Sequence, residues 1–134
     1  MNTYLETSAV LSWALEEPDG AEVQKSLKKA RHLLTSELTL AECRRALRRC
    51  GAAPDSTAAL RLQSLQARWD LIAVHSYLLA AVGQAFPMEP VRTLDAIHLV
   101  TALDLRATLS DLPVVSLDHR VRDNAKAFGF VVLP

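Results

Sequence analysis

Arg92-Thr93-Leu94-Asp95-Ala96-Ile97-His98-Leu99-Val100-Thr101-Ala102-Leu103 is a helical pattern that is apolar around most of its circumference. Asp95, His98 and Thr101 recur every third residue and share one face, while Ala96, Ile97, Leu99, Val100, Ala102 and Leu103 cover the rest. Such a helix is expected to be buried. A carboxylate in its first turn then either complements the helix dipole or faces a partner or a cavity, because an unpaired buried charge costs on the order of several kcal/mol.

Toward the C-terminus, Ser110-Asp111-Leu112-Pro113 breaks the helix and residues 114–117 read as a buried strand that ends at Asp118. A last helix is expected over 119–128, closed by Gly129, with a final strand over 130–133. On the other side, Pro87 and Pro90 hold an irregular segment, preceded by a helix over 77–86 and a strand over 70–74. A helix capped by Asp55 or Ser56 runs to about residue 68, with Leu60, Leu62 and Leu65 inward.

Gly51 and Pro54 separate it from the preceding helix, and so short a link predicts a hairpin. That preceding helix carries Thr39 and Glu42 in the spacing of a capping box and Arg44, Arg45, Arg48 and Arg49 on its outer face. Residues 33–35 form a second strand, after a charged helix over 21–31. Thr3-Tyr4-Leu5 forms a first strand that stops at Glu6, where Thr7 or Ser8 can cap the next helix.

Strands alternate with helices and are mostly continuous in apolar character. The expected fold is therefore α/β, one domain over 1–134, with a central parallel sheet of about four to five strands flanked by helices. Half of the 134 residues are hydrophobic, enough for a sizeable core. Fifteen basic residues balance fifteen acidic ones, which argues against a bulk electrostatic grip on nucleic acid but leaves room for a local patch.

Cys43 and Cys50 would stand about 10 Å apart on one helix, too far for a disulfide, and are expected as small buried residues in a reduced compartment. No leader or membrane-spanning run is evident, so a cytoplasmic location is expected.

In an open parallel sheet, ligands bind beyond the carboxyl ends of the strands. Glu6 and Asp118 each follow a strand, and Glu42 and Asp95 lie in first turns of helices that can open onto the same edge. Four converging carboxylates repel one another unless some are protonated or a cation compensates them, and an all-oxygen cluster suits magnesium or manganese. Such a metal serves phosphodiester hydrolysis without a covalent nucleophile. No Gly-rich phosphate loop, serine elbow or paired histidine ligands are present. His98 reads as a helix-surface or packing residue rather than a base.

YLETSAVLSWALEE, TSELTLAECRRALRR, RTLDAIHLVTALDL and VVSLDHRVRDNAKAFGF, in that order, closely resemble the four motif regions of PIN domains, especially VapC-type ribonuclease toxins. The resemblance spans residues 4–130. It places the family's catalytic acids on Glu6, Glu42, Asp95 and Asp118, with Glu6, Asp95 and Asp118 as metal ligands and Ser8 and Ser116 lining the pocket. It implies a magnesium- or manganese-dependent endoribonuclease, the toxin of a type II toxin-antitoxin system, forming a homodimer. A small VapB-like antitoxin would send its tail into the acidic groove, gripped by the helices on either side of Pro54.

One departure stands out, since the first motif usually carries Asp where this chain has Glu6. The extra methylene moves the carboxylate by about 1.5 Å, a displacement able to cost on the order of 100-fold in rate. The rival reading is therefore a catalytically weakened PIN-fold module that binds RNA or protein. A phosphoryl-accepting receiver domain is a third, and lacks the lysine near the last strands that such a site needs. For RNA contact the candidates are Arg120, alternatively ion-paired with Asp118 or Asp123, and one or more of the four arginines after Glu42.

Overall fold

The computed structural model describes residues 1–134. Its elements are β1 (Asn2–Leu5), α1 (Thr7–Ala14), α2 (Gly20–Lys29), β2 (His32–Ser36), α3 (Glu37–Arg49), α4 (Thr57–Gln66), β3 (Trp69–Ile72), α5 (Ser76–Ala81), α6 (Thr93–Thr108), β4 (Val114–Val115), α7 (His119–Ala127) and β5 (Val132–Leu133). All five strands are parallel, in the order β3-β2-β1-β4-β5. The chain starts at the centre of the sheet, moves outward to β3, and crosses back to the other side of β1. The carboxyl ends of β1 and β4 thus flank the point where strand order reverses, where parallel sheets leave a crevice.

Adjacent residues of a strand point to opposite faces, and the core divides accordingly. Tyr4, Leu34 and Val114 pack with Leu78, Phe86, Leu99, Val100, Val121 and Phe130 on the side of α5, α6 and α7. Leu5, Leu33 and Val115 pack with Val10, Val23, Leu27, Leu62 and Leu65 on the side of α1 to α4. Burial on both faces explains why the strands are apolar throughout rather than alternating. As expected of the central helix, residues 95–102 of α6 are all buried.

Several local expectations are corrected. The capping box is not formed. α3 starts at Glu37, capped by the Ser36 hydroxyl accepting from the Leu38 amide at 3.1 Å, so Thr39 and Glu42 lie inside the helix. Neither Thr7 nor Ser8 caps α1, because both hydroxyls bond across the structure. α3 and α4 do not form a close hairpin, and both pack on α1 instead. α5 ends at Ala81, which frees the following turn to drop Phe86 into the core against Phe128, with ring centroids 6.1 Å apart. Leu60 and Cys50 are exposed, and only Cys43 is buried. No helix is long and apolar enough to cross a membrane.

Candidate active site

Glu6 ends β1 and is buried, at 5% exposure. Its Oε2 accepts a 2.7 Å hydrogen bond from the Ser116 hydroxyl and another from Ser8. The Ser8 oxygen in turn accepts from the amides of Leu117 at 2.9 Å and Asp118 at 3.1 Å. Both serines expected in the pocket therefore touch Glu6, and they tie the end of β1 to the end of β4. That bond needs the parallel β1–β4 pairing, which sets Leu5 beside Val115.

Asp118 is the N-cap of α7. Its Oδ1 accepts from the amides of Arg120 at 2.9 Å and Val121 at 3.2 Å. Its Oδ2 instead meets Arg92 Nη2 at 3.0 Å. Arg92 also grips Asp95, through Nε to Oδ2 at 2.9 Å and Nη2 to Oδ1 at 3.3 Å. Asp95 is thus a buried carboxylate with a partner, as its position on α6 demanded, and that partner was not foreseen. Arg120 lies beside Asp118 through its backbone, but its guanidinium forms no ion pair with Asp118 or Asp123.

Glu42 lies one turn inside α3. Its Oε1 accepts from the Thr7 hydroxyl at 2.7 Å and from His98 Nε2 at 2.9 Å. A carboxylate only accepts, so Nε2 carries the hydrogen, and His98 Nδ1 is left to accept from the Tyr4 hydroxyl at 2.8 Å. Burial and the nearby Glu6 charge push the Tyr4 phenol well above its usual range, so it retains its proton for that bond. Burial works to raise the Glu42 carboxyl, but hydrogen bonds from His98 and Thr7 and the charge of Arg92 outweigh it and hold the group below its ordinary value.

Behind them, Thr39 lies 3.2 Å from Thr7 and 2.8 Å from Thr35, whose hydroxyl is 2.6 Å from the Leu5 carbonyl. Cys43, on the next residue of α3, is no nucleophile: burial and the Glu42 and Glu6 charges push its thiol up to about 12.

The four carboxylates therefore belong to one connected network. Glu42 reaches His98, whose Nε2 is 4.0 Å from Glu6 Oε1. Glu6 joins the Ser8 and Ser116 pair, which holds the Asp118 amide, and Arg92 bridges Asp118 to Asp95. His98, Thr7 and Arg92 were missed as site residues. The signal for His98 was its place three residues after Asp95 on an otherwise apolar helix, where a buried imidazole needs partners.

All-oxygen donors fit a hard divalent cation in chemistry. As they stand, no three acidic, histidine or cysteine side chains are gathered as ligands of one metal ion. The Arg92 guanidinium supplies the positive charge between Asp95 and Asp118. Loading a metal there requires Arg92 to withdraw, and its side chain is 61% exposed.

The PIN domain family matches residues 3–127 of this chain. The chain belongs to the PIN domain family. Ribonuclease VapC46 of Mycobacterium tuberculosis is 35% identical to it over 130 residues, which cover 97% of this chain and 95% of that protein. Ribonuclease VapC35 of the same organism is 30% identical over 132 residues, covering 97% and 94%.

Two solved structures share the PIN fold at lower identity. Mycobacterium tuberculosis VapC20, a Sarcin-Ricin loop cleaving toxin, superposes with a TM-score of 0.70 at 16% identity, covering 98% of this chain and 99% of that one. A chain of VapBC2 from Rickettsia felis, bound to a DNA fragment from their promoter, gives 0.67 at 13% identity, covering 98% and 97%. This PIN domain is thus of the VapC type, and its network sits at the crevice that the PIN sheet leaves beside β1.

Proposed function

We propose that this PIN domain is a metal-dependent endoribonuclease, the toxin of a VapBC-type pair, that hydrolyses RNA phosphodiester bonds at Glu6, Glu42, Asp95 and Asp118. The observation that carries this reading is two hydrogen-bonded groups, Glu42 with His98 and Glu6 with Ser8, Ser116, Asp118, Arg92 and Asp95, meeting where His98 Nε2 stands 4.0 Å from Glu6 at the switch point of the sheet, with no activated nucleophile among them. Near-full-length kinship with two VapC ribonucleases supports it.

In this reading Glu6, Asp95 and Asp118 hold magnesium or manganese. When bound, the ion activates a water and neutralises charge on the phosphoryl oxygens. The protein's part is positioning. Ser8 and Ser116 orient Glu6, Arg92 holds Asp95 and Asp118 together until it withdraws for the ion, and Thr7 and His98 fix Oε1 of an anionic Glu42. Oε2 of Glu42 remains to orient water and take its proton. RNA is the substrate. A small VapB-like antitoxin is the inhibitory partner, in keeping with the paired VapBC2 proteins, and a second copy of the chain completes a homodimer.

Cleavage of total RNA in manganese by wild type and not by Asp95→Asn is the expected result. The variant Glu6→Asp sorts this reading from the weakened-module alternative. Wild-type cleavage within about tenfold of Glu6→Asp supports the enzyme, whereas a gain on the order of 100-fold from an inactive wild type supports the binding module. Cleavage retained in Asp95→Asn overturns the site.

A further inference from the structure

Thr7, Leu11, Ala41, Glu42, Arg45, Arg49 and Leu94 line a groove of about 330 Å³ that runs away from the carboxylate network between α1, α3 and the start of α6. Glu42, Arg45 and Arg49 are spaced three and four residues apart and form one stripe along α3. The inner end of the groove is therefore Glu42, and its outer wall carries two guanidinium groups. Arg44 and Arg48 project from another side of the same helix, and neither lines the groove.

Arg45 and Arg49 are both exposed and neither forms an ion pair within the chain. The cations that do pair nearby have named carboxylates. Arg92 takes Asp95 and Asp118, and Arg61 takes Glu16. Arg44 and Arg48 are exposed and unpaired as well, but only Arg45 and Arg49 line the groove that ends at Glu42, so theirs are the charges that an anion lying in the groove meets.

Resting on the ribonuclease reading, we infer that this groove is the subsite for the RNA strand beyond the scissile bond, with Arg45 and Arg49 binding its phosphates. The charge pattern favours a polyanion here. A phosphate next to the reacting one is carried by the same strand, so anchoring it on α3 sets the scissile phosphate against the carboxylates without adding positive charge to the centre itself. Leu11 and Leu94 give the groove an apolar wall for a sugar, a contact that carries no sequence information. Specificity for a particular RNA then lies elsewhere on the strand.

The test separates binding from hydrolysis. In the cleavage-silent Asp95→Asn background without divalent metal, binding of a short mixed-sequence single-stranded RNA is measured over a range of salt. Two double variants are compared, Arg45→Gln with Arg49→Gln, and Arg44→Gln with Arg48→Gln, each checked by thermal melting. The groove pair is expected to weaken binding on the order of tenfold and to flatten the log–log salt slope by about 1.4, two single-strand phosphate contacts at about 0.7 each. The other pair leaves affinity and slope within twofold of the parent.

Equal losses from both pairs mean diffuse attraction by α3 and overturn the proposal, as does an unchanged slope in the groove pair. If the otherwise wild-type protein cleaves RNA in manganese while the groove pair binds normally, the subsite fails and the ribonuclease reading stands. If it neither binds nor cleaves, both fail.

Discussion

His98 is where sequence reasoning and structure part most sharply. An imidazole on a buried helix was read as packing, yet it has a partner at each nitrogen and one of them is Glu42. Replacing it with Leu should lower kcat on the order of 100-fold, with little change in KM for RNA. His98→Gln, whose amide can reach the Nε2 position, should recover most of that loss. His98→Asn, which matches only the Nδ1 end, should not. Losses that simply follow melting temperature across the three variants would make His98 a packing residue after all.

Arg92 makes the opposite kind of prediction. Because its guanidinium bridges Asp95 and Asp118, Arg92→Ala should tighten manganese binding several-fold in a calorimetric titration of RNA-free protein. Weaker binding would show that Arg92 helps to hold the acids in place for the metal. Both residues could have been flagged from sequence only by asking which buried carboxylate each helix position would face. That depends on which strands pair with β1, since β2 leads into α3 and Glu42 while β4 leads to Asp118, and no local pattern encodes those pairings.

At the scale of elements, the long and strongly patterned pieces were legible and the short ones were not. α6 declared itself by apolar cover on most of its circumference, and α7 by Asp118 before it and Gly129 after it. β4 and β5 are two residues each, so their extent reflects tertiary pairing rather than the longer apolar runs that contain them. The start of α3 was misplaced because Thr39 and Glu42 have capping-box spacing while their side chains serve Thr7, Thr35 and His98 instead.

Packing between elements also reverses a propensity rule. Gly20 opens α2, and a Cβ there would come within 2.8 Å of the Ser12 carbonyl oxygen in α1. Ala is ordinarily favoured over Gly within helices by about 1 kcal/mol, yet here backbone must move. Gly20→Ala should destabilise the protein by about 1–3 kcal/mol in urea unfolding, and a stabilised variant would mean α1 and α2 can separate at no cost.

For the whole molecule, the fold class and strand count followed from alternation of strand and helix, and all four acids were named before any geometry was known. What stayed hidden was their division of labour. One side of Asp118 holds a helix end while the other meets Arg92, and Glu42 is fixed through α6 rather than through its own helix. The helix cap is local, but the links from Asp118 to Arg92 and from Glu42 to His98 join residues 26 and 56 positions apart. A reading that proceeds segment by segment finds the members of such a network and not its links.

The bond between Glu6 and Ser116 spans 110 positions, and this separation bears on how the protein is made. Translation runs from Glu6 toward Asp118, so β4, Ser116 and Asp118 leave the ribosome only after Glu6, Glu42 and Asp95. A nascent chain halted by a stop codon before Ser116 carries three of the four acids, and of the two hydroxyls on Glu6 it keeps Ser8 and lacks Ser116. Such a fragment, without β4, Asp118 and the Ser116 hydroxyl, is expected to be silent in an RNA cleavage assay, so that activity arrives only when both ends of this junction have been made.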